Sequence, residues 1–478
     1  MHLAGCSSRP HPRFPVALFV VLLVALVAAC SAQPMPTTGI SPTPTSATPA
    51  IPSPTASMPP GSPQLTPIPT AGSPSPSAPA SPSNGASPTL APPLADLVAV
   101  RLQAALEAQR VARGVPGIAA AVIFPDGSRW AGASGSAALD PARPTTPDTP
   151  YVAGSITKTF VAALCLQLAE EGVLDLDDTL DKWLPKYPRA GRITLRQLLS
   201  HTSGVFNYFE HPDYNRTVFG VPNRLWRPQE ILNTFAGTPY FEPGTGFHYS
   251  NTGYVLLGMV IEKATGSTLG EEFERRFLTP LGMDETYFQG EGPPPADAAE
   301  GHLRIHGVPS PVRDASDYRP TKSAATVAWA AGGMASSAND LATWCRALYG
   351  GHLLTAESTL QMTNYSLPGA INYGLATRTR LLDGRRMFGH TGSLRGFMAV
   401  MWHFPDVDLT VVLLNNLGRI NPNPMVDSLS SVALPLAAAY QPLPASPPPS
   451  VVPSVVPSVV PSPFVAPSAA ASPSAAAP

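Results

Sequence analysis

Charge is missing from both ends of this chain. Residues 31–93 and 441–478 contain no Asp, Glu, Lys or Arg, yet they hold 19 and 12 of the 59 prolines. Ser, Thr and Ala fill most of the remainder. Such stretches bury too little apolar surface to offset the entropy of an ordered chain, which excludes a packed core there. Of the 62 charged side chains, 60 lie in residues 94–440; the other two are Arg9 and Arg13. The net charge of −2 points to neither nucleic acid nor an acidic lipid surface as a partner. Cysteine is scarce as well. Beyond Cys6 and Cys30 there are only Cys165 and Cys345, each within an apolar helical pattern, where two buried free thiols fit better than a disulfide. No Gly-x-Ser-x-Gly occurs, so a nucleophile elbow is not indicated. His302 and His306 are four apart, but no Glu separates them and the surrounding segment is irregular. Neither a metal site nor a cofactor is expected.

What is present at the N-terminus reads as targeting. Arg9 and Arg13 precede the 16-residue apolar run Phe14 to Ala29, short for a spanning helix and suited to a signal peptide. Residues 1–29 end in Val27-Ala28-Ala29 before Cys30, a pattern that resembles a bacterial lipobox with Cys30 as the lipidated residue. The expected location is therefore extracytoplasmic, anchored to the cell membrane as a lipoprotein. The alternatives are a conventional cut that secretes the chain, or an uncleaved anchor. Residues 30–93 form a Pro/Ser/Thr-rich linker; at about 3.1 Å per residue in polyproline II it would reach roughly 190 Å. Residues 441–478, with their Pro-Ser-Val-Val repeat, read as a low-complexity spacer.

Residues 94–440 are long enough for one large domain. Leu94 to Arg113 has helical periodicity, Ile118 to Phe124 and Arg129 to Ser134 read as strands, and Pro125-Asp126-Gly127 joins them. Helices are expected over 193–199, 252–264, 271–277 and 338–348, the last opened by a capping box at Ser337. Residues 205–247 and 290–322 read as irregular. Three strands follow (386–390, 396–403, 409–415), with turns at Gly392 and Pro405-Asp406, and a last helix covers 426–440. Strands thus cluster at both ends of the domain and helices in the middle. The fold class this predicts is α/β (α+β): an antiparallel sheet flanked by terminal helices, plus an inserted all-α region.

Within that frame, Gly154-Ser155-Ile156-Thr157-Lys158 precedes an apolar run in which Val161, Leu164, Cys165 and Leu168 follow i, i+3, i+4, i+7 spacing. A helix beginning here sets Ser155 and Lys158 one turn apart on one face, with Gly172 as its terminator. A serine hydroxyl is a weak nucleophile until a base is placed beside it, and an amine serves only if its pKa is lowered. Alone, the four residues also describe an N-cap serine and a surface lysine. Tyr249-Ser250-Asn251 equally suits a helix start, and His390-Thr391-Gly392 a tight turn with Gly392 at positive φ. His201, in His201-Thr202-Ser203-Gly204, reads as structural.

Taken together and in this order, Ser-x-x-Lys, Tyr-x-Asn and His-Thr-Gly resemble the motifs of the serine β-lactamase and penicillin-binding superfamily, in its class C-like branch. Leu198 to Gly204, Pro280-Leu281-Gly282-Met283 and Gly332-Gly333-Met334-Ala335-Ser336 are similar to other segments of that family. The resemblance covers about residues 95–440. It implies a β-lactamase/transpeptidase-like fold with a site between a sheet domain and a helical domain. Ser155 would be the acylated nucleophile, with Lys158 and Tyr249 sharing proton transfer. Asn251 would bind the substrate amide, and His390 and Thr391 would face the substrate carboxylate. Gly392 completes that triplet. The N–H groups of Ser155 and Ser393 would form the oxyanion hole. Arg378, in a segment similar to the family's carboxylate-gripping region, is nominated for that task. The implied activity is D-Ala-D-Ala carboxypeptidase or penicillin-binding activity, with peptidoglycan stem peptides or β-lactams as partners. The alternatives are a β-lactamase, a carboxylesterase and a non-catalytic peptidoglycan-binding relative.

Overall fold

The computed structural model describes residues 92–289, 294–312, 319–366 and 372–439, all within one compact unit, Ser83–Pro478. The signal segment, Cys30, the linker up to residue 91 and the tail lie outside the described residues; the last two linker residues already belong to the helix Pro92–Arg113.

A seven-stranded antiparallel sheet organises the domain. Its order is Ala142–Pro144, Arg129–Leu139, Gly117–Ile123, Leu409–Asn415, Phe397–Phe404, Arg385–Leu394 and Arg378–Leu382. The two ends of the domain meet at its centre, where Ile118 pairs with Asn415 and Ile123 with Thr410. The central strand Gly117–Ile123 carries no polar side chain, because both of its faces are covered. Ile118, Ala120 and Val122 face Leu102 and Leu106 of the helix Pro92–Arg113 together with Val426 and Leu429 of the helix Asn423–Ala437. Ala119, Ala121 and Ile123 face the other way, into the core shared with the helical region. The period-2 alternation of a strand is thus hidden in a continuous apolar run.

The helical region inserts between the early and late strands, as expected. Its centre is the helix Thr157–Glu170, almost wholly buried, which ends at Gly172 with φ +70°. Phe160 on this helix stacks on Trp344 of the helix Ala338–Tyr349, with ring centroids 3.7 Å apart and planes within 6°. The edges of Phe273 and Phe277 close around it, and the Trp344 indole N–H donates to Thr159 Oγ1 at 2.9 Å. This aromatic cluster fixes the start of Thr157–Glu170 relative to the sheet.

Four expectations need correction. The strand Arg385–Leu394 runs straight through Gly392, which is not among the positive-φ glycines; the chain reverses at Arg395-Gly396, where Gly396 has φ +92°. Residues 205–247 contain short helices, Tyr214–Phe219 and Pro228–Thr234, built around Tyr208, Tyr214, Trp226 and Phe235 rather than around a periodic stripe. The region 290–322 contains a hairpin, His302–Ile305 with Val308–Pro311. A buried, Ala-rich helical segment, Lys322–Gly332, broken by a kink at Trp329 (φ +34°), and the edge strand Arg378–Leu382 were not expected; neither has an amphipathic pattern strong enough to announce it.

Replacing Phe160 with Ala removes the partner of Trp344 from a fully buried site. The expected loss is about 3–5 kcal/mol of unfolding free energy, read as a lower denaturant midpoint in equilibrium unfolding.

Candidate active site

Ser155 lies on a single 3₁₀ turn, Gly154–Ile156, that runs directly into the helix Thr157–Glu170. The expected helix start is thus one tight turn instead, made possible by Gly154 at φ +54°. Thr157 fastens it. Its hydroxyl donates to the Gly154 carbonyl at 2.7 Å and accepts from the Met334 N–H at 3.0 Å. Met334 begins the short strand Met334–Ser336, which also accepts from the Ala153 N–H at 2.9 Å.

The turn presses against the strand Arg385–Leu394, and two missing side chains permit the contact. A Cβ on Gly392 would lie 1.8 Å from the Ala153 carbonyl oxygen, and one on Gly154 would lie 2.8 Å from the Ser393 nitrogen. Gly392 is required for this close approach, not for a turn. The Ser155 and Ser393 backbone nitrogens consequently sit on adjoining segments. Paired backbone donors on a rigid frame are what developing oxyanion charge needs.

Lys158 is fully buried and touches three acceptors. Its Nζ is 2.6 Å from the Ala331 carbonyl, 2.8 Å from Asn251 Oδ1 and 3.2 Å from Ser155 Oγ. Burial, and then the nearby positive charge of Arg378, hold its pKa well below the ordinary lysine value. A neutral amine has two hydrogens and one lone pair. The two shorter contacts take the hydrogens, and the lone pair is left facing Ser155. Asn251 is itself oriented, because both its backbone N–H and its Nδ2 donate to Asn207 Oδ1 at 3.1 Å.

Tyr249, half-buried, lies with its ring 5.0 Å from Lys158 Nζ. Burial pushes its phenol up to about 12, although a hydrogen bond with Ser155 and the charge of Arg378 act the other way. It therefore stays protonated near neutral pH. The guanidinium of Arg378 stands 5.5 Å from the Tyr249 ring and 5.6 Å from that of Tyr373, and its buried Nε has no hydrogen-bond partner.

His390 is buried, and both its ring nitrogens are engaged by protein. Nδ1 lies 2.6 Å from the Thr391 carbonyl and Nε2 3.0 Å from the Tyr373 hydroxyl. The same hydroxyl lies 3.1 Å from His201 Nε2, while the Ser250 N–H donates to His201 Nδ1 at 3.1 Å. The donors fix one proton order. His201 Nε2–H donates to Tyr373, Tyr373 donates to His390 Nε2, and His390 Nδ1–H donates to Thr391. Burial, followed by Arg378 and Lys158, pushes the His390 pKa well down; burial, followed by Lys158 and His390, does the same to His201. Both rings are neutral.

The structure thus gathers Ser155, Lys158, Tyr249, Asn251, Arg378 and His390 around one point, with half-buried Thr391, buried Gly392 and exposed Ser393 along the adjoining strand. Sequence reasoning missed Asn207, Tyr373 and the Ala331 carbonyl, which reach the site from distant segments without a motif. It also left His201 outside the site. Cys165 and Cys345 are free and buried. Among the described residues no three His, Cys, Asp or Glu side chains group to hold a metal. A cavity of about 780 Å³ in the helical region is lined by Tyr187, Phe206 and Leu232 but by none of Ser155, Lys158 or Tyr249. Chemistry, not cavity size, locates this site.

Comparison with known proteins agrees with this geometry. The family described as Beta-lactamase matches residues 102–428. The chain is 29% identical over 295 residues to Penicillin-binding protein 4* of Bacillus subtilis, covering 59% of this chain and 64% of that protein. It is 31% identical over 229 residues to Esterase EstB of Burkholderia gladioli, covering 45% and 57%. The chain therefore spans less than two thirds of the length of these curated relatives. Among solved structures, a D-stereospecific amidohydrolase from Streptomyces sp. is 34% identical with a TM-score of 0.60, covering 68% of this chain and 96% of that one.

Gly392→Ala places a methyl group against the Ala153 carbonyl and forces the Ser393 N–H away from Ser155. The turnover number on a p-nitrophenyl ester should fall roughly 10²–10³-fold, the usual cost of a lost oxyanion donor. Unaltered turnover would show that the two segments need not touch.

Proposed function

The chain belongs to the beta-lactamase and penicillin-binding-protein superfamily of serine hydrolases, and on that basis we propose that it cleaves amide or ester bonds through an acyl-enzyme on Ser155. The single observation that carries this reading is the Lys158 environment: a buried amine 2.6 Å from the Ala331 carbonyl, 2.8 Å from Asn251 Oδ1 and 3.2 Å from Ser155 Oγ, so that in its neutral form the two nearer oxygens take its hydrogens and its lone pair is free for the Ser155 proton. Lys158 takes the hydroxyl proton as Ser155 attacks the carbonyl. The N–H groups of Ser155 and Ser393 receive the oxyanion. Tyr249, still protonated, gives its proton to the departing amine or alcohol as the scissile bond breaks, and is reprotonated by the Lys158 ammonium. Water then attacks the acyl carbonyl, Lys158 takes its proton, and that proton goes to Ser155 Oγ as the ester bond breaks and the acid leaves.

For substrate, we read amides and peptides of D-configured residues. Stem peptides ending in D-Ala-D-Ala are one member of that class, and a β-lactam is a trap for the same serine. Likeness to a D-stereospecific amidohydrolase and to a penicillin-binding protein supports this choice. Arg378, with an unpartnered Nε beside Tyr249, suits a carboxylate on the leaving residue of a peptide. His390 acts behind the binding surface, through Thr391, because its own nitrogens are occupied. The second reading is a carboxylesterase, favoured by likeness to Esterase EstB. Export with lipidation at Cys30 completes the proposal. Among the described residues no helix is long and apolar enough to cross a membrane. Metabolic palmitate labelling that survives in a Cys30→Ser variant would reject this anchor.

Ser155→Ala should abolish both labelling by fluorescent penicillin and hydrolysis of D-Ala p-nitroanilide, with kcat/KM falling at least about 10³-fold; retained hydrolysis would reject the mechanism. Comparison of D- and L-Ala p-nitroanilide, a D-Ala-D-Ala peptide and p-nitrophenyl acetate separates the substrate readings. Hydrolysis of the acetate alone would favour the esterase.

The base must be unprotonated, so kcat/KM should rise with pH as Lys158 loses its proton and level off well below 10.5. Arg378→Ala removes a like charge that disfavours the ammonium form. It should move this acid limb to higher pH and lower turnover of the D-Ala-D-Ala peptide more than that of the acetate. An unmoved limb with equal losses on both would reject the assigned role of Arg378.

A further inference from the structure

Two arginines, Arg395 and Arg419, flank the strand end that carries Ser393. Arg395 occupies the reversal between the strands Arg385–Leu394 and Phe397–Phe404, two residues beyond Ser393. Arg419 lies four residues after the strand Leu409–Asn415. Gly418 and Gly396 bring these two segments together: a Cβ on Gly418 would lie 2.8 Å from the Gly396 nitrogen. Both arginines are exposed, and among the described residues no carboxylate forms an ion pair with either. The Arg395 guanidinium is disfavoured by partial burial and then by the charge of Arg419. Two like charges held close without a counter-ion raise the local positive potential.

The space they face adjoins the site at Ser393. A pocket of about 500 Å³ is lined by Ser393, Arg395 and Arg419 on the sheet side, and by Phe209, Tyr214 and Phe219 on the helical side. Arg395 spans it, with its guanidinium 4.1 Å from the centre of the Phe219 ring. Stacking on that face constrains the plane of the guanidinium while leaving its edge donors available. The pocket reaches Ser393, whereas Ser155, Lys158, Tyr249 and Arg378 are absent from its lining. With Tyr249 as the proton donor to the leaving group, as proposed above, this opposite side is left for the acyl portion of the substrate.

We infer that Arg395 and Arg419 form an anion subsite for the acyl part of the substrate, selecting acyl groups that carry a carboxylate away from the scissile carbonyl. Phe209, Tyr214 and Phe219 cover the carbon chain between the two groups. The orientation rests on the Ser155 reading; the subsite as a binder of carboxylate does not. A peptide substrate would then meet cations on both sides of the scissile bond, Arg378 beyond the leaving residue and the arginine pair beyond the acyl residue.

The test compares two esters of similar length, p-nitrophenyl hydrogen glutarate and p-nitrophenyl butyrate. The full chain should prefer the glutarate in kcat/KM, and added salt should erode that preference. In an Arg395→Ala/Arg419→Ala double variant the glutarate should lose roughly tenfold, as expected for exposed but paired charge contacts, with butyrate changed less than about twofold. Arg395→Lys/Arg419→Lys should restore part of the preference. Equal losses on both esters, or no loss on the glutarate, would overturn the subsite. A second readout avoids catalysis. Titration of ¹³C-glutarate into Ser155→Ala protein, followed by NMR, should show saturable binding that the double arginine variant weakens at least about tenfold; affinity unchanged in that variant, or no binding to Ser155→Ala protein, overturns it. Hydrolysis of both esters by Ser155→Ala would instead sink the nucleophile assignment, leaving the glutarate titration to decide the subsite.

Discussion

A buried lysine with no carboxylate partner among the described residues is the constraint around which this domain is arranged. In the interior the unpaired ammonium form of Lys158 is strongly disfavoured. Its neutral form, by contrast, is fully satisfied: two carbonyl-type oxygens, from Ala331 and Asn251, accept its two hydrogens. Each oxygen comes from a different part of the helical region, and each is held by something else. Asn251 is turned by Asn207; Ala331 is buried just past the kink at Trp329 in the segment Lys322–Gly332. Loosening either would return the amine to solvent and to its ordinary pKa. The reactivity of Ser155 is in that sense a property of the packing of the helical region.

The same logic extends to the two histidines. An imidazole in a His-Thr-Gly strand reads at first as a titrating group presented to the substrate. In the folded protein it is the inner end of a buried chain, Ser250 to His201 to Tyr373 to His390 to Thr391, whose donors and acceptors alternate without a gap. Protonating either ring would place two donors face to face, and the neighbouring Lys158 and Arg378 already disfavour it. The chain runs behind the site and fixes the carbonyl of the residue beside Gly392. It thereby ties the strand that carries Ser393 to the helical region that carries Tyr249.

Glycine enters this design by what it lacks. Gly154 is needed for its left-handed backbone and for the space beside Ser393; Gly392 is needed for space alone. A reading of Gly392 as a turn residue fails because a missing Cβ has two uses, backbone freedom and close approach, and a single sequence does not distinguish them. The strand continues, and its extended backbone is what aligns Ser393 with Ser155.

Much of the architecture is written in local pattern. The helix after Ser155 follows from the spacing of Val161, Leu164, Cys165 and Leu168, its end from Gly172, and the partition of charge marks where a core can form at all. These are properties of neighbouring residues, and periodicity reports them directly. The three motifs carry residue types suited to acyl transfer for the same reason. Other features depend on segments that meet only after folding. Asn207 reaches Asn251 across 44 residues, Tyr373 reaches His390 across 17 and the Ala331 carbonyl reaches Lys158 across 173, without any spacing of their own. Lys322–Gly332 and Arg378–Leu382 are short elements stabilised by what covers them, so neither needs an amphipathic stripe. By itself the chain determined which residues are chemically able to do the work. Whether the amine is neutral, the imidazoles locked and the two N–H groups adjacent was decided by tertiary packing, because desolvation and hydrogen-bond saturation are set by neighbours that no local pattern records.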